Sequence, residues 1–195
     1  LLYGIVQGGV YEDLRAESTA YVAGSGVDGI AIGGSLGQEK EQMREVVGWA
    51  LAGVPDAPPR HLLGIGDVDD IIHAVGAGID TFDCATPTRL ARHGTALVND
   101  PARRWRLDLT KGAHRTSREP IDPDCPCPAC REHTRGYLHY LVKAREPTAA
   151  RLLTLHNVAY LQRLMADLRQ AVLDGRLAAR AAELRAGAAP AAAVT

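Results

Sequence analysis

The stretch His61-Leu62-Leu63-Gly64-Ile65-Gly66-Asp67-Val68-Asp69-Asp70-Ile71-Ile72-His73-Ala74-Val75-Gly76-Ala77-Gly78-Ile79-Asp80-Thr81-Phe82-Asp83-Cys84 holds one complete structural unit. Residues 61–65 form a short apolar run beside glycine, which reads as a buried strand. Residues 67–75 carry helical spacing, with Asp67 placed to cap the start. Gly76-Ala77-Gly78 ends that helix, and 80–84 is a second strand. Strand, helix and strand in so few residues require a helical crossover between parallel strands.

The same unit repeats upstream. Residues 3–7 read as a strand closed by Gly8-Gly9, and 12–23 as a helix with Leu14, Ser18, Tyr21 and Val22 on one face. Residues 29–34 are a second strand with a glycine exit. A helix over 40–51 follows, turning Met43, Val46, Val47 and Ala50 inward, and then a proline loop over 55–59. Two architectures use such units: an open doubly wound sheet and a (β/α)8 TIM barrel. No G-x-G-x-x-G follows the first strand, which argues against a dinucleotide fold. A whole barrel needs about 250 residues. The expected fold class is therefore α/β, the C-terminal half of a TIM barrel. The missing initiator Met is read the same way, as a piece of a longer chain. Half a barrel would carry two raw sheet edges.

Beyond residue 84 the pattern is irregular to about residue 123. Then comes Cys125-Pro-Cys127-Pro-Ala-Cys130, a C-x-C-x-x-C array. Thiolates this close suit a borderline-soft cation, and zinc is the usual one. His156, inside a long helical pattern from Pro147 to about residue 174, is the expected fourth ligand of one structural Zn2+. An iron–sulfur cluster would want a fourth thiolate, and Cys84 lies far off in the strand region. The expected organisation is barrel units over 1–99 and an inserted zinc subdomain over 100–146. A C-terminal helix over 147–187 and a frayed tail over 188–195 complete it.

Composition narrows the class. The chain has 195 residues, 46% of them hydrophobic and 23% charged, enough for a core. A net charge of −1 gives no global nucleic-acid signal, yet residues 86–119 hold eight Lys/Arg against three acids. That segment suits a polyanion or is a solvated loop. Four cysteines, three of them clustered, indicate a metal site in a reducing, cytoplasmic setting rather than a disulfide framework. No apolar run reaches 18 residues, so no membrane helix is expected.

Parallel α/β folds place chemistry at the C-terminal strand ends. Those ends here are Gln7, Gly33-Gly34, Leu63-Gly64 and Asp83-Cys84. Asp83 could be a nucleophile toward an electrophilic carbon, a general base or a metal ligand; a cap or an arginine partner is the plainer reading. Gln7 offers a donor and an acceptor together, as a nucleobase edge requires, or it stabilises a loop. The two glycines allow a flat ligand close to backbone, or simply a tight turn. Leu63 could pack on such a ligand or belong to the core.

Taken in order, several motifs resemble the tRNA-guanine transglycosylases. They are Tyr-Gly-Ile-Val-Gln7-Gly-Gly, Ile-Ala-Ile-Gly33-Gly34, Leu-Leu63-Gly-Ile-Gly66, Phe-Asp83-Cys-Ala-Thr-Pro-Thr-Arg89-Leu-Ala-Arg92, the cysteine array and Leu-His156-Asn157. The resemblance runs to about Arg176. It implies a TIM barrel with a zinc subdomain that replaces guanine at the wobble position of a tRNA with a GUN anticodon. The incoming base would be 7-aminomethyl-7-deazaguanine, for queuosine biosynthesis. It further implies that Asp83 attacks ribose C1′ and holds the tRNA covalently. Gln7, Gly33, Gly34 and Leu63 would read the base, and Leu63 stands where a Met is usual. Arg89 and Arg92 would contact the tRNA backbone. Cys125, Cys127, Cys130 and His156 would bind zinc, in a homodimer.

Two departures follow from the same resemblance. The family's general acid/base aspartate belongs to an N-terminal half that this chain lacks. The loop Gly33-Gly34-Ser35-Leu36-Gly37-Gln38-Glu39 looks one residue short, which bears on the choice of incoming base. A queuine-inserting enzyme and a non-catalytic tRNA-binding subunit are the alternatives, and Asp83 argues against the second.

Overall fold

The computed structural model describes residues 1–191. Contacts divide the chain into two compact units, Leu1–Cys84 and Ala85–Thr195.

In the first unit, strands β1 (Tyr3–Val6), β2 (Gly29–Ile32), β3 (Arg60–Leu63) and β4 (Thr81–Asp83) form one parallel sheet in the order β1-β2-β3-β4. Helices α1 (Glu12–Ala23), α2 (Lys40–Leu51) and α3 (Val68–Gly76) make the crossovers. Neighbours in sequence are neighbours in the sheet. There is no switch of direction, which a doubly wound sheet requires. Repeated crossovers of one hand then stack all helices on one face. The core lies between that face and the helices: Val6, Ile30, Ile32 and Leu62 pack with Val22, Val46, Val47, Ala50 and Ala74. β1 and β4 are the sheet's edges.

Two local expectations change. Asp67 stands at the α3 N-cap but makes no capping hydrogen bond there. The buried stripe of α1 is Arg15, Thr19 and Val22, while Leu14 and Tyr21 are exposed. Of the expected apolar face only Val22 is buried. Polar residues take the inner face because backbone carbonyls wait there: Thr19 Oγ1 donates to Ala50 O at 3.1 Å, and Arg15 is treated below.

The second unit is organised on α7 (Pro147–Leu173), which contacts every other helix of the unit and strand β5. Those partners are α4 (Thr86–Arg92), α5 (Pro128–Glu132), α6 (Arg135–Ala144), α8 (Leu177–Arg185) and β5 (Thr95–Leu97). The segment read as irregular contains α4 and an antiparallel hairpin of β5 with β6 (Arg106–Asp108). Residues 95–97 thus pair within this unit, although the sequence reading carried the barrel part to residue 99. The buried face of α7 includes Leu152, Leu153, His156, Tyr160, Leu164 and Leu168. Leu155, expected inside, is 39% exposed. Gly175, at φ +65°, stops α7: its N–H and that of Arg176 close on Val172 O and Ala171 O, as a Schellman end requires.

The chain past 187 is tied down as far as it is described. Arg163 and Arg180 donate to Pro190 O and Ala189 O at 3.0 and 2.6 Å, and Ala191 N–H reaches Asp167 at 3.2 Å. Expected fraying therefore does not hold for 188–191. Residues 192–195 lie outside the described range.

Candidate active site and metal centre

Strand pairing aligns Val6, Ile32, Leu62 and Phe82. Side chains alternate along a strand, so the residue facing the other way at each C-terminal end is Gln7, Gly33, Leu63 or Asp83. Four sequence candidates thus share one edge of the helix-free face. Leu63 pairs with Asp83 directly. A Cβ at Gly33 would meet Leu63 Cδ1 at 2.6 Å and Ile5 Cγ2 at 3.1 Å, so Leu63 occupies the space that Gly33 leaves. Gly34 has φ +75°, and a Cβ there would strike Gln7 Oε1. The Gln7 amide therefore lies over bare backbone, where a flat ligand could meet both. Ser18 on α1 accepts a hydrogen bond from Gln7 N–H at 3.0 Å, steadying that strand end.

Asp83 is 60% exposed and closes β4. Its Oδ1 lies 3.2 Å from His61 Nε2 and 3.3 Å from Gly64 N. His61 Nδ1 lies 2.8 Å from Thr81 Oγ1, and its ring meets Tyr3 edge-on, with centroids 6.2 Å apart. His61 and Thr81 lie opposite each other in the sheet. The sequence reading passed over His61 because an isolated strand histidine carries no periodic signal.

Arg15 was likewise missed. It is fully buried. Its guanidinium donates to Gly9 O (2.8 Å), Val6 O (3.1 Å), Gly33 O (2.9 Å) and Ser35 O (2.9 Å). One planar fork thus ties the loop after β1 to the loop after β2, the two loops that carry Gln7 and Gly34. Burial pulls its pKa below the usual arginine value, and the four carbonyl dipoles stand where a counter-ion would. Arg15→Met should destabilise the first unit by about 3–5 kcal/mol, because four carbonyls lose a buried donor. Arg15→Lys should recover only part of that, since an ammonium cannot span the fork. Urea unfolding checks both; a loss under about 1 kcal/mol in the Met variant would contradict the account.

The candidate metal centre belongs to the second unit. Cys125, Cys127, Cys130 and His156 are all buried, and their ligand atoms lie within 4.8 Å of one another. A tetrahedral zinc with Zn–S near 2.3 Å separates its ligand atoms by about 3.8 Å, so the cluster matches with little adjustment. His156 Nε2 donates to Leu97 O at 2.8 Å. That turns Nδ1 to the sulfurs, 3.2 Å from Cys130 Sγ and 3.7 Å from Cys127 Sγ, as the nitrogen that a metal would take once its proton is shed. The groups do not titrate independently. Hydrogen bonds from Cys127 and Cys130 hold the Cys125 thiol far below its usual range, while the bonds to Cys125 and Cys127 push Cys130 far above it. Burial works to lower His156, but the bonds to Cys125 and Cys127 outweigh it and push it up to about 9. Four buried groups in competition for protons are what a divalent cation relieves.

Outer contacts hold the ligands. Asn157, beside His156, accepts from Leu97 N at 2.8 Å and donates to Pro87 O and Thr95 O at 3.0 and 3.1 Å. It binds α7 to the hairpin and α4 at the point where His156 also grips Leu97. Asp122 accepts from Arg163 at 2.9 Å, with both side chains nearly buried. Cys125 N–H in turn donates to Asp122 O at 3.3 Å, so the ion pair anchors the start of the cysteine loop. Arg89 and Arg92 sit one turn apart on α4, both exposed. Within the basic segment, Arg103 pairs with Asp100 and Lys111 with Asp108 at 3.2 and 3.5 Å, so part of its charge is neutralised.

With this geometry established, comparison with known proteins is informative. A family described as "Queuine tRNA-ribosyltransferase" matches residues 1–189. The chain belongs to the queuine tRNA-ribosyltransferase family. Relatives of that name include one from Roseiflexus sp. (strain RS-1), 53% identical over 182 residues, covering 93% of this chain and 46% of the relative. A second, from Thiobacillus denitrificans, is 46% identical over 172 residues, covering 88% and 46%. A third, from Methylobacillus flagellatus, is 43% identical over 187 residues, covering 95% and 50%. The chain spans about half the length of these curated relatives. As a member of this transferase family it carries the strand-end row in one unit and the Cys3His cluster in the other. Among the described residues, no helix of this family member is long and apolar enough to cross a membrane.

Proposed function

We propose that this chain is the C-terminal half of a TIM-barrel tRNA-guanine transglycosylase, carrying its nucleophile, its base-reading face and a structural zinc. The observation that carries the reading is the row of Gln7, Gly33, Leu63 and Asp83 on the helix-free face of a singly wound sheet. It combines a flat apolar floor, a paired donor and acceptor, bare glycine backbone and an exposed carboxylate. Those are the parts needed to seat a purine and reach its ribose.

The chemistry follows from Asp83. One carboxylate oxygen bonds to C1′ of the target guanosine as the C1′–N9 bond breaks, and the bonding pair leaves with guanine. Guanine then takes a proton from a general acid, a carboxylic acid in the N-terminal half on this reading. Positive charge builds at C1′ on the way, and a carboxylate stabilises it before closing to the ester. A 7-deazaguanine base gives its N9 proton to that same general acid, now a carboxylate, while N9 bonds to C1′ and the ester C–O bond breaks to release Asp83 as the carboxylate. Both bases use one pocket, so the kinetics are ping-pong.

Arg89 and Arg92, exposed on one face of α4, serve the tRNA backbone near the target. The Cys3His cluster takes zinc: all four ligands are buried protein groups, with the closed donor set of a structural site. A homodimer built through the second unit would cover Tyr137 and Tyr140 on α6 and Leu155 and Val158 on α7, all exposed. Free cysteines suit the reducing cytoplasm, where tRNA is modified.

The bacterial-type substrate is 7-aminomethyl-7-deazaguanine. The name that the relatives share favours a second reading, queuine. Full-length protein with a tRNA bearing guanine at the wobble position and either base separates the two. We expect faster incorporation of 7-aminomethyl-7-deazaguanine, followed by mass spectrometry of the digested tRNA. Preference for queuine selects the second reading, and incorporation of neither base sinks both.

A further inference from the structure

We propose that His61 is a positioning residue for Asp83, holding Oδ1 so that Oδ2 is the oxygen that bonds to the ribose. The proposal rests on Asp83 being the nucleophile.

An ionised carboxylate only accepts hydrogen bonds. The 3.2 Å contact with Oδ1 therefore puts a proton on His61 Nε2. With Nε2 so engaged, Nδ1 lies 2.8 Å from the Thr81 hydroxyl, which can meet it either as donor or as acceptor. Thr81 thus holds the far side of the ring and keeps Nε2 turned to Asp83. Tyr3, edge-on to the imidazole with an interplanar angle of 79°, limits the ring's rotation. The imidazole is only 22% exposed, so water competes weakly for it, whereas Asp83 is 60% exposed.

The second donor to the carboxylate is weaker. Gly64 N–H points mainly to the Asp83 carbonyl, at 2.9 Å, and reaches Oδ1 only at 3.3 Å. Among the described residues, both hydrogen bonds to the Asp83 side chain end on Oδ1. An oxygen that accepts two hydrogen bonds is the poorer nucleophile, and a carboxylate held at one oxygen presents the other in a fixed direction. His61 therefore decides which oxygen attacks and where it points. A misplacement of about 1 Å at such a centre can slow reaction on the order of a hundredfold.

The test measures the single-turnover rate of covalent adduct formation with full-length protein and guanine-bearing tRNA. His61→Phe keeps a ring but loses the donor. His61→Gln keeps an N–H close to the place of Nε2. We expect the Phe variant to form adduct about 10- to 100-fold more slowly with KM for tRNA within about threefold. We expect the Gln variant to regain most of the rate, which a merely space-filling role would not produce. Adduct at the normal rate in the Phe variant, or equal losses in Phe and Gln, overturns the proposal. Asp83→Asn run in parallel separates the failures: adduct from that variant removes the nucleophile reading itself. An inert Asn variant beside a normal Phe variant removes only the role of His61.

Discussion

Replacing Asp83 by Asn is expected to abolish the covalent tRNA adduct and to slow base exchange about ten-thousand-fold or more. That is a barrier increase of about 5 kcal/mol. Other nucleophile deletions that leave binding intact give losses of this order or larger. The change is nearly isosteric. Asn keeps an oxygen for the His61 and Gly64 donors, which lie 3.2 and 3.3 Å from Oδ1. The side chain is 60% exposed, so stability should move by less than about 0.5 kcal/mol. What is lost is the anion: an amide carries no charge for the developing cation at C1′ and does not close to an ester. The measurement is a denaturing gel with labelled tRNA beside an assay of labelled guanine exchange. Affinity for tRNA should stay within about threefold, because in the proposed role Asp83 acts on the reacting carbon and not on the phosphates. An Asn variant that exchanged guanine normally would end the assignment.

The second large effect concerns the Cys3His cluster, the proposed zinc site. Cys127→Ala should reduce bound zinc from about one per chain to nearly none and lower the melting temperature by about 10 °C or more. Structural zinc sites contribute apparent binding free energies of about 10–16 kcal/mol that are inseparable from folding. Even a third of that moves the midpoint of a chain this size by the stated amount. The site is joined to the core around it: the three cysteines pack in one buried cluster with Leu138, Leu141, Leu152 and Leu153. The same ligands must shed protons to bind metal, so retention should also weaken as pH falls. Elemental analysis and thermal unfolding read both effects. Iron in place of zinc, or full zinc in the Ala variant, would refute the Cys3His reading.

Much of the first unit was legible in the sequence. α1 and α2 start and stop where the sequence places them, and β2 between them is a short run with no polar side chain. The Cys3His cluster was legible too, since three of its residues lie within six positions and the fourth sits in a long periodic helix. The misses share one cause. On α1 Leu14 and Tyr21 face out, because Arg15 and Thr19 are drawn inward beside Val22 by carbonyls from other segments. The β5–β6 hairpin lies in a stretch of charge and glycine, and its strands are only three residues long. The tail past 187 is held by arginines on α7 and α8 that no local pattern connects to it.

The division is therefore between short-range and long-range physics. By itself, the sequence determined the elements, the parallel crossovers, the strand-end candidates and the cysteine array. All of these follow from spacing within about one element, where the backbone's own periods act. Only the tertiary structure decided the rest. It set the strand order without a switch point and brought Gln7, Gly33, Leu63 and Asp83 onto one row. It also turned Arg15 inward and joined His61 to Asp83. Each of these depends on polar or apolar groups from separate segments meeting in one place. Burial makes such meetings obligatory, because an inward-facing donor or acceptor must find a partner wherever the chain supplies one.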